Sequence, residues 1–153
     1  MWMEFASSAA KRSTCFRLNV GAIVVQGNRL PIAVGYNGQD PGAEHCQAIC
    51  EPGECNTIHA EKNAIDSIKG VMRSGRLDLY VTDSPCMDCA IMIYKAGIVG
   101  VYYRTPYRDI SPIHMLWKRG LEVYRVTPSG VIIPFDKDWA VRKRSSNASP
   151  EAA

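Results

Sequence analysis

IHAEKNAIDSIKG at residues 58–70, LDLYV at 77–81, SPCMDCAIMIYKAG at 84–97 and IVGVYY at 98–103 alternate between two periods. In the first and third segments apolar residues recur at helical spacing. Ile58, Ala64, Ile65 and Ile68 fall on one face, and Gly70 stops the run. Pro85 opens the second helix after Ser84 as N-cap, and Gly97 closes it. The segments between are short apolar runs of strand type. A helix over 112–119 and a strand over 121–126 continue the series. Helix, strand, helix, strand, helix, strand predicts an α/β layer fold with helices packed on a central sheet.

Outward from this block, residues 1–13 carry Trp2, Phe5, Ala6 and Ala9 at helical spacing. Residues 20–25 and 30–34 read as a β-hairpin turning at Gly27-Asn28. Residues 36–57 read as a loop, and it holds three cysteines. So long a loop in a small domain implies a function or a metal. The chain has 153 residues, 46% hydrophobic and 22% charged, with a formal net charge of +3. We expect one domain over 1–141 and a flexible basic tail over 142–153. No apolar run spans a bilayer, and residues 1–12 lack a signal pattern. A cytoplasmic protein (host cytoplasm for a virus) follows. There the six cysteines are metal ligands or free thiols rather than disulfides. The small positive excess excludes neither anionic nor neutral ligands. It does not suit a duplex binder.

Two short segments carry the chemistry. His59-Ala60-Glu61 is followed by Pro85-Cys86-Met87-Asp88-Cys89. H-x-E then P-C-x-x-C is the signature of zinc deaminases. A catalytic zinc takes three protein ligands and keeps one position for water. His59, Cys86 and Cys89 supply one imidazole and two thiolates. The start of a helix favours the thiolate form. Glu61 has the role of general acid and base beside the activated water, which attacks C4 of a cytosine. Taken singly, a C-x-x-C pair also suits a redox site or half a zinc finger. A zinc-stabilised binding module without catalysis would have no need of Glu61.

The sequence resembles the deoxycytidylate (dCMP) deaminase family over about residues 13–126. The shared segments are residues 12–15 (RSTC), 20–24 (VGAIV), 35–38 (GYNG), His59-Ala60-Glu61 with Asn63-Ala64-Ile65, Ser84-Pro85-Cys86 with Cys89, and Ala96-Gly97-Ile98. The resemblance implies a three-layer α/β/α sandwich around a five-stranded mixed sheet. It implies hydrolysis of dCMP to dUMP and ammonia, feeding thymidylate synthesis. It also implies a homohexamer activated by dCTP with Mg2+ and inhibited by dTTP. Asn37 would meet the deoxyribose, although Asn-Gly also suits a plain turn. Ala60, Asn63 and Ser84 would line the substrate pocket. Gly35, Tyr36, Asn37 and Gly38 would help form the regulator site. Tyr107 matches a phosphate-contacting tyrosine and equally a packing residue. Lys69, Arg104 and Arg108 are phosphate candidates by charge alone.

The four remaining cysteines are Cys15, Cys46, Cys50 and Cys55. Some members of the family carry a second zinc here, and Cys15 and Cys46 match its positions. A closed set of four would give the loop a shape, with His45 as an alternative ligand. Free thiols are the other reading. The same chemistry on cytidine, guanine, a tRNA adenosine or single-stranded DNA stays open. A polynucleotide substrate would call for a basic, aromatic groove, and the basic stretch at 142–144 lies in the tail. We therefore expect no polynucleotide and no membrane partner.

Overall fold

The computed structural model describes residues 1–51, 55–71 and 73–138. The predicted tail over 142–153 lies outside them. Helix α1 (Trp2–Ala10) leads into the hairpin of β1 (Gly21–Gln26) and β2 (Leu30–Tyr36). The elements that follow are α2 (Ala60–Ser67), β3 (Leu77–Asp83), α3 (Met87–Lys95), β4 (Gly100–Thr105), α4 (Ser111–Lys118), β5 (Glu122–Val126) and β6 (Ile132–Pro134). Gly27 and Asn28 both take positive φ, 59° and 57°, which gives the hairpin turn the twist its strands need.

The strand order is β2-β1-β3-β4-β5-β6. β3, β4 and β5 are parallel, joined by α3 and α4, while β1, β2 and β6 are antiparallel to their neighbours. The sheet has six strands, where the resemblance implied five. The extra strand is β6, three residues long and ending on Pro134. Proline cannot donate to a ladder, so such a strand is stable only at an edge.

Strand alternation divides the apolar residues between two faces. Ala22, Val24, Leu79, Val81, Val101 and Tyr103 face α2, α3 and α4, meeting Ala64, Ile65, Ala90, Ile93, Ile113 and Leu116. Ile23, Val25, Tyr80 and Val126 face the other way and meet Met3 and Ala6 of α1. Helices therefore cover both faces. Arg104 fastens α1 to the sheet, donating to Ser7 Oγ and to Glu4 Oε1, both at 2.7 Å.

This topology places the site. β1 is antiparallel to both β2 and β3, so the start of β1 and the ends of β2 and β3 meet at one sheet edge. Val20, Asn37 and Asp83 come together there. The end of β4 delivers Tyr107 to the same edge. Ligands of open α/β sheets bind outside the carboxyl ends of the parallel strands.

Candidate metal centre and substrate pocket

His59 is the N-cap of α2 and Cys86 the N-cap of α3. Cys89 sits in the first turn of α3. Two helix N-termini therefore converge, and their backbone N–H groups favour negative charge. His59 Nδ1 lies 3.5 Å from Cys86 Sγ and 3.4 Å from Cys89 Sγ. All three ligand atoms lie within 4.8 Å of one another, the one such group of three among the described residues. Zinc–nitrogen and zinc–sulfur bonds of about 2.0 and 2.3 Å at the tetrahedral angle give an N···S edge of about 3.5 Å. The donor set fits zinc in both chemistry and spacing.

The site is electrostatically polarised. Hydrogen bonds from Cys89 and then His59 pull the Cys86 thiol down to about 3. Cys89 is pushed up by its bond to Cys86 and by burial. His59 is raised, chiefly by its bond to Cys86. Glu61, one residue into α2, is only 4% exposed. Burial pushes its carboxyl up to about 7, opposed by its backbone N–H and by His59.

A cavity of ≈ 370 Å³ opens beside these groups. His59, Glu61 and Cys86 mark its metal end. Ala60, Asn37, Arg17, Asp83 and Tyr107 also line it. Tyr107 is held by its backbone N–H, which donates to Ser84 Oγ at 2.8 Å. Burial and the nearby Asp83 charge push its hydroxyl up to about 12, so it remains a donor.

Several residues marked in the sequence have partners of their own. Asn37 Oδ1 accepts from Val20 N at 2.8 Å, and its Nδ2 donates to Leu18 O at 2.7 Å. Its amide pins the segment carrying Arg17 against the hairpin. Asn63 Nδ2 donates to Tyr36 O at 2.8 Å and ties α2 to β2. A Cβ on Gly35 would collide with the Ala60 carbonyl and lie 2.6 Å from Ala64 N, so this glycine admits α2 to the sheet. Gly38 pairs with Ile58 in an isolated antiparallel bridge. Tyr36 lies under the Arg12 guanidinium, 6.0 Å from ring centroid to Cζ.

Of the three cations suggested for a phosphate, Arg104 is engaged with α1 on the far face of the sheet. Lys69 pairs with Asp66 at 2.5 Å. Neither lines the cavity, nor does Arg108. Arg17 does, and sequence reasoning missed it. Its one signal was its place between Cys15 and the first strand. Asp83 was missed as well. Its carboxylate accepts from Thr82 Oγ1 at 2.8 Å, and Thr82 Oγ1 in turn accepts from Gly21 N at 3.2 Å. Burial raises Asp83.

The other four thiols are neighbours in series. Cys46 and Cys50 sulfurs are 3.8 Å apart, and Gln39 Nε2 donates to Cys46 Sγ at 3.0 Å. Cys55 contacts Thr57 Oγ1 at 3.1 Å and also interacts with Cys15 and Cys50. A sulfur–sulfur distance near 3.8 Å is about the edge of a tetrahedral zinc–thiolate site. The four do not gather as tightly as the three ligands at the helix starts.

The profile of the cytidine and deoxycytidylate deaminase zinc-binding region matches residues 1–105. The chain belongs to this deaminase family. Deoxycytidylate deaminase of Schizosaccharomyces pombe is 35% identical over 83% of the chain and 43% of its own length. ComE operon protein 2 of Bacillus subtilis is 45% identical over 81% of the chain and 68% of its own length. The chain thus spans less than half of the first of these relatives and about two thirds of the second. The dCMP deaminase of cyanophage S-TIM5, crystallised with dCMP and dUMP, superposes with a TM-score of 0.73. It is 38% identical over 81% of this chain and 93% of its own. The family brings a zinc-binding function that the His59, Cys86 and Cys89 geometry fits. No helix among the described residues is long and apolar enough to cross a membrane.

Proposed function

We propose that this chain hydrolyses dCMP to dUMP and ammonia, with His59, Cys86 and Cys89 holding the zinc and Glu61 moving the protons. The observation that carries the reading is a buried carboxylate at the metal end of a cavity that also carries Arg17 and Tyr107. The names of the relatives from S. pombe and cyanophage S-TIM5 support the choice of nucleotide. When bound, zinc supplies a Lewis acid that makes water nucleophilic near neutral pH.

The chain's own residues do the rest. Glu61 takes a proton from the attacking water and gives it to ring N3 as the oxygen bonds to C4. It then takes the remaining proton from the new C4 hydroxyl and passes it to the exocyclic nitrogen. The C4–N bond breaks, ammonia leaves, and the ring becomes uracil. A carboxyl balanced near pH 7 can both accept and donate, which this sequence requires. Ala60 presents backbone groups to the base, while Ser84, fully buried and outside the cavity lining, holds Tyr107 in place. Asn37 has a second amide hydrogen available for the sugar. Arg17 and the Tyr107 hydroxyl serve the 5′-phosphate.

The test compares ammonia release from dCMP and from deoxycytidine. We expect dCMP to be strongly preferred. Arg17→Ala should raise KM for dCMP about 10- to 100-fold and leave deoxycytidine turnover nearly unchanged. Faster turnover of the nucleoside by the unaltered protein would overturn the nucleotide assignment.

Regulation belongs to the same proposal. The Arg12–Tyr36 pair, an exposed guanidinium over a half-buried ring, offers a cation and an aromatic face beside Gly35, Asn37 and Gly38, where dCTP with Mg2+ and dTTP would bind. In the same assay dCTP should make a sigmoidal dCMP curve hyperbolic, and dTTP should suppress it. A homohexamer would carry this cooperativity. A second zinc on Cys15, Cys46, Cys50 and Cys55, with His45 as substitute, would hold the loop over 39–57. Six cysteines used as metal ligands rather than in disulfides suit the cytoplasm.

A further inference from the structure

Strand β3 ends on a carboxylate that the proposed chemistry does not use. Asp83 lines the cavity together with Glu61, Arg17 and Tyr107, three residues before Cys86. Its orientation is set from behind. Gly21 N donates to Thr82 Oγ1 at 3.2 Å, and that hydroxyl donates to Asp83 Oδ2 at 2.8 Å. A hydroxyl has one hydrogen, and here it is committed to the carboxylate. The bonds therefore run in one direction, from the β1 backbone to an acceptor at the cavity wall. The other oxygen, Oδ1, has no hydrogen bond among the described residues and is not sealed from solvent. Asp83 forms no ion pair among the described residues. Its charge reaches two neighbours in the cavity, since it helps to raise both Glu61 and Tyr107. A partly buried carboxylate with one oxygen fixed and one open calls for a donor.

We propose that Asp83 is a specificity residue: Oδ1 accepts a hydrogen bond from the exocyclic amine at C4, on its side away from N3, and so favours the amino substrate over its carbonyl product. The inference rests on the proposed deamination of dCMP, which sets C4 at the metal end and N3 against Glu61. The amine carries two hydrogens, one toward N3 and one toward C5. Glu61, on α2, is engaged at N3. Asp83 reaches the cavity from β3, a different wall. N3 and O2 of cytosine are acceptors, so the amine is the one polar donor of the base that a carboxylate can bind. In the product a carbonyl stands at C4, and an acceptor then faces an acceptor. A site built to bond a polar group rejects the analogue that lacks it, because its own polar atom is left unpaired. Arg17 and Tyr107 hold the 5′-phosphate, which substrate and product share. Asp83 reads the one position where the two differ, and makes the product the weaker ligand.

Isothermal titration calorimetry on the zinc-loaded Glu61→Gln variant tests it, with dCMP and dUMP as ligands. Glutamine donates to N3 of cytosine or accepts from N3–H of uracil, which leaves the contrast at C4 to Asp83. We expect dCMP to bind at least about tenfold more tightly than dUMP. Adding Asp83→Asn should bring the two affinities together or reverse their order, because an amide can turn a donor toward the carbonyl. Adding Asp83→Leu should bring them together as well, since neither acceptor nor donor then faces C4. Zinc content and circular dichroism report folding. A merely structural role would weaken both ligands alike and leave their ratio where it was. Equal affinity for the two nucleotides with Asp83 in place would overturn the inference, and so would a ratio unmoved in both double variants. Turnover of dCMP by the unaltered chain separates the two readings. If turnover is present and the ratio does not move, Asp83 has no such role and the deaminase reading stands. If the unaltered chain does not turn over dCMP, both fall.

Discussion

Glu61→Gln should keep its zinc and lose turnover of dCMP by roughly 10³- to 10⁴-fold, the scale of a general acid–base catalyst. Glutamine has nearly the shape of glutamate, and position 61 is 4% exposed, so the packing at the start of α2 survives. The substitution also removes a buried carboxyl whose charged form burial disfavours. The variant should therefore be at least as stable as the parent. None of the three metal ligands changes, so bound zinc measured by mass spectrometry should be equal in the two proteins. What glutamine cannot do is accept a proton from water and deliver it to N3 and to the departing amine. KM should change little, because the reading gives Glu61 a role in proton transfer rather than in holding the nucleotide. A variant that kept a tenth of the parental turnover would mean that the protons travel by another route. That outcome would leave the metal centre standing and remove Glu61 from the mechanism.

The residues proposed for the metal and for proton transfer are legible because their spacing is itself chemistry. Two cysteines three apart at a helix start face one point, and a histidine two residues before a glutamate puts ligand and proton carrier on one turn. The α/β order was legible for the same reason, since the two periods differ sharply in the block over 58–103. The helix start at α3 was read two residues early. Ser84 and Pro85 look like N-cap and first turn, yet Ser84 N donates to Thr105 O and its hydroxyl accepts from Tyr107 N. Those two bonds hold the chain extended until Cys86, which becomes the N-cap. A tertiary contact overrode a local signal. Strand β6 was missed because three residues show no period, and its pairing with β5 depends on the Thr127 to Gly130 turn. Arg17 was missed because it lies in irregular backbone. Its position comes from Asn37, twenty residues away in sequence, and no local pattern encodes that link.

Cys86→Ala should lose one zinc per chain and all measurable turnover, whereas Cys46→Ala with Cys50→Ala should lose a different zinc and mainly stability. The two outcomes follow from two environments. Cys86 stands at the edge of the cavity within 3.5 Å of His59, so its loss opens the centre where the chemistry occurs. Cys46 and Cys50 are 3.8 Å apart in a loop with few apolar anchors, so a metal there would act by holding the loop. A closed thiolate site worth about 3 kcal/mol to the folded state would shift the melting temperature by roughly 6–12 °C in a chain of this size. The parent protein should therefore contain two zinc ions, and each variant one. Thr57 and Cys55 line the substrate cavity from the end of the same loop. Loosening the loop should therefore raise KM for dCMP while leaving kcat within a few fold. One zinc per parent chain, with Cys46→Ala and Cys50→Ala thermally silent, would reduce the four sulfurs to free thiols. A parent with two zinc ions whose Cys86→Ala variant stayed active would be more serious, since it would put the reacting centre somewhere other than between the starts of α2 and α3.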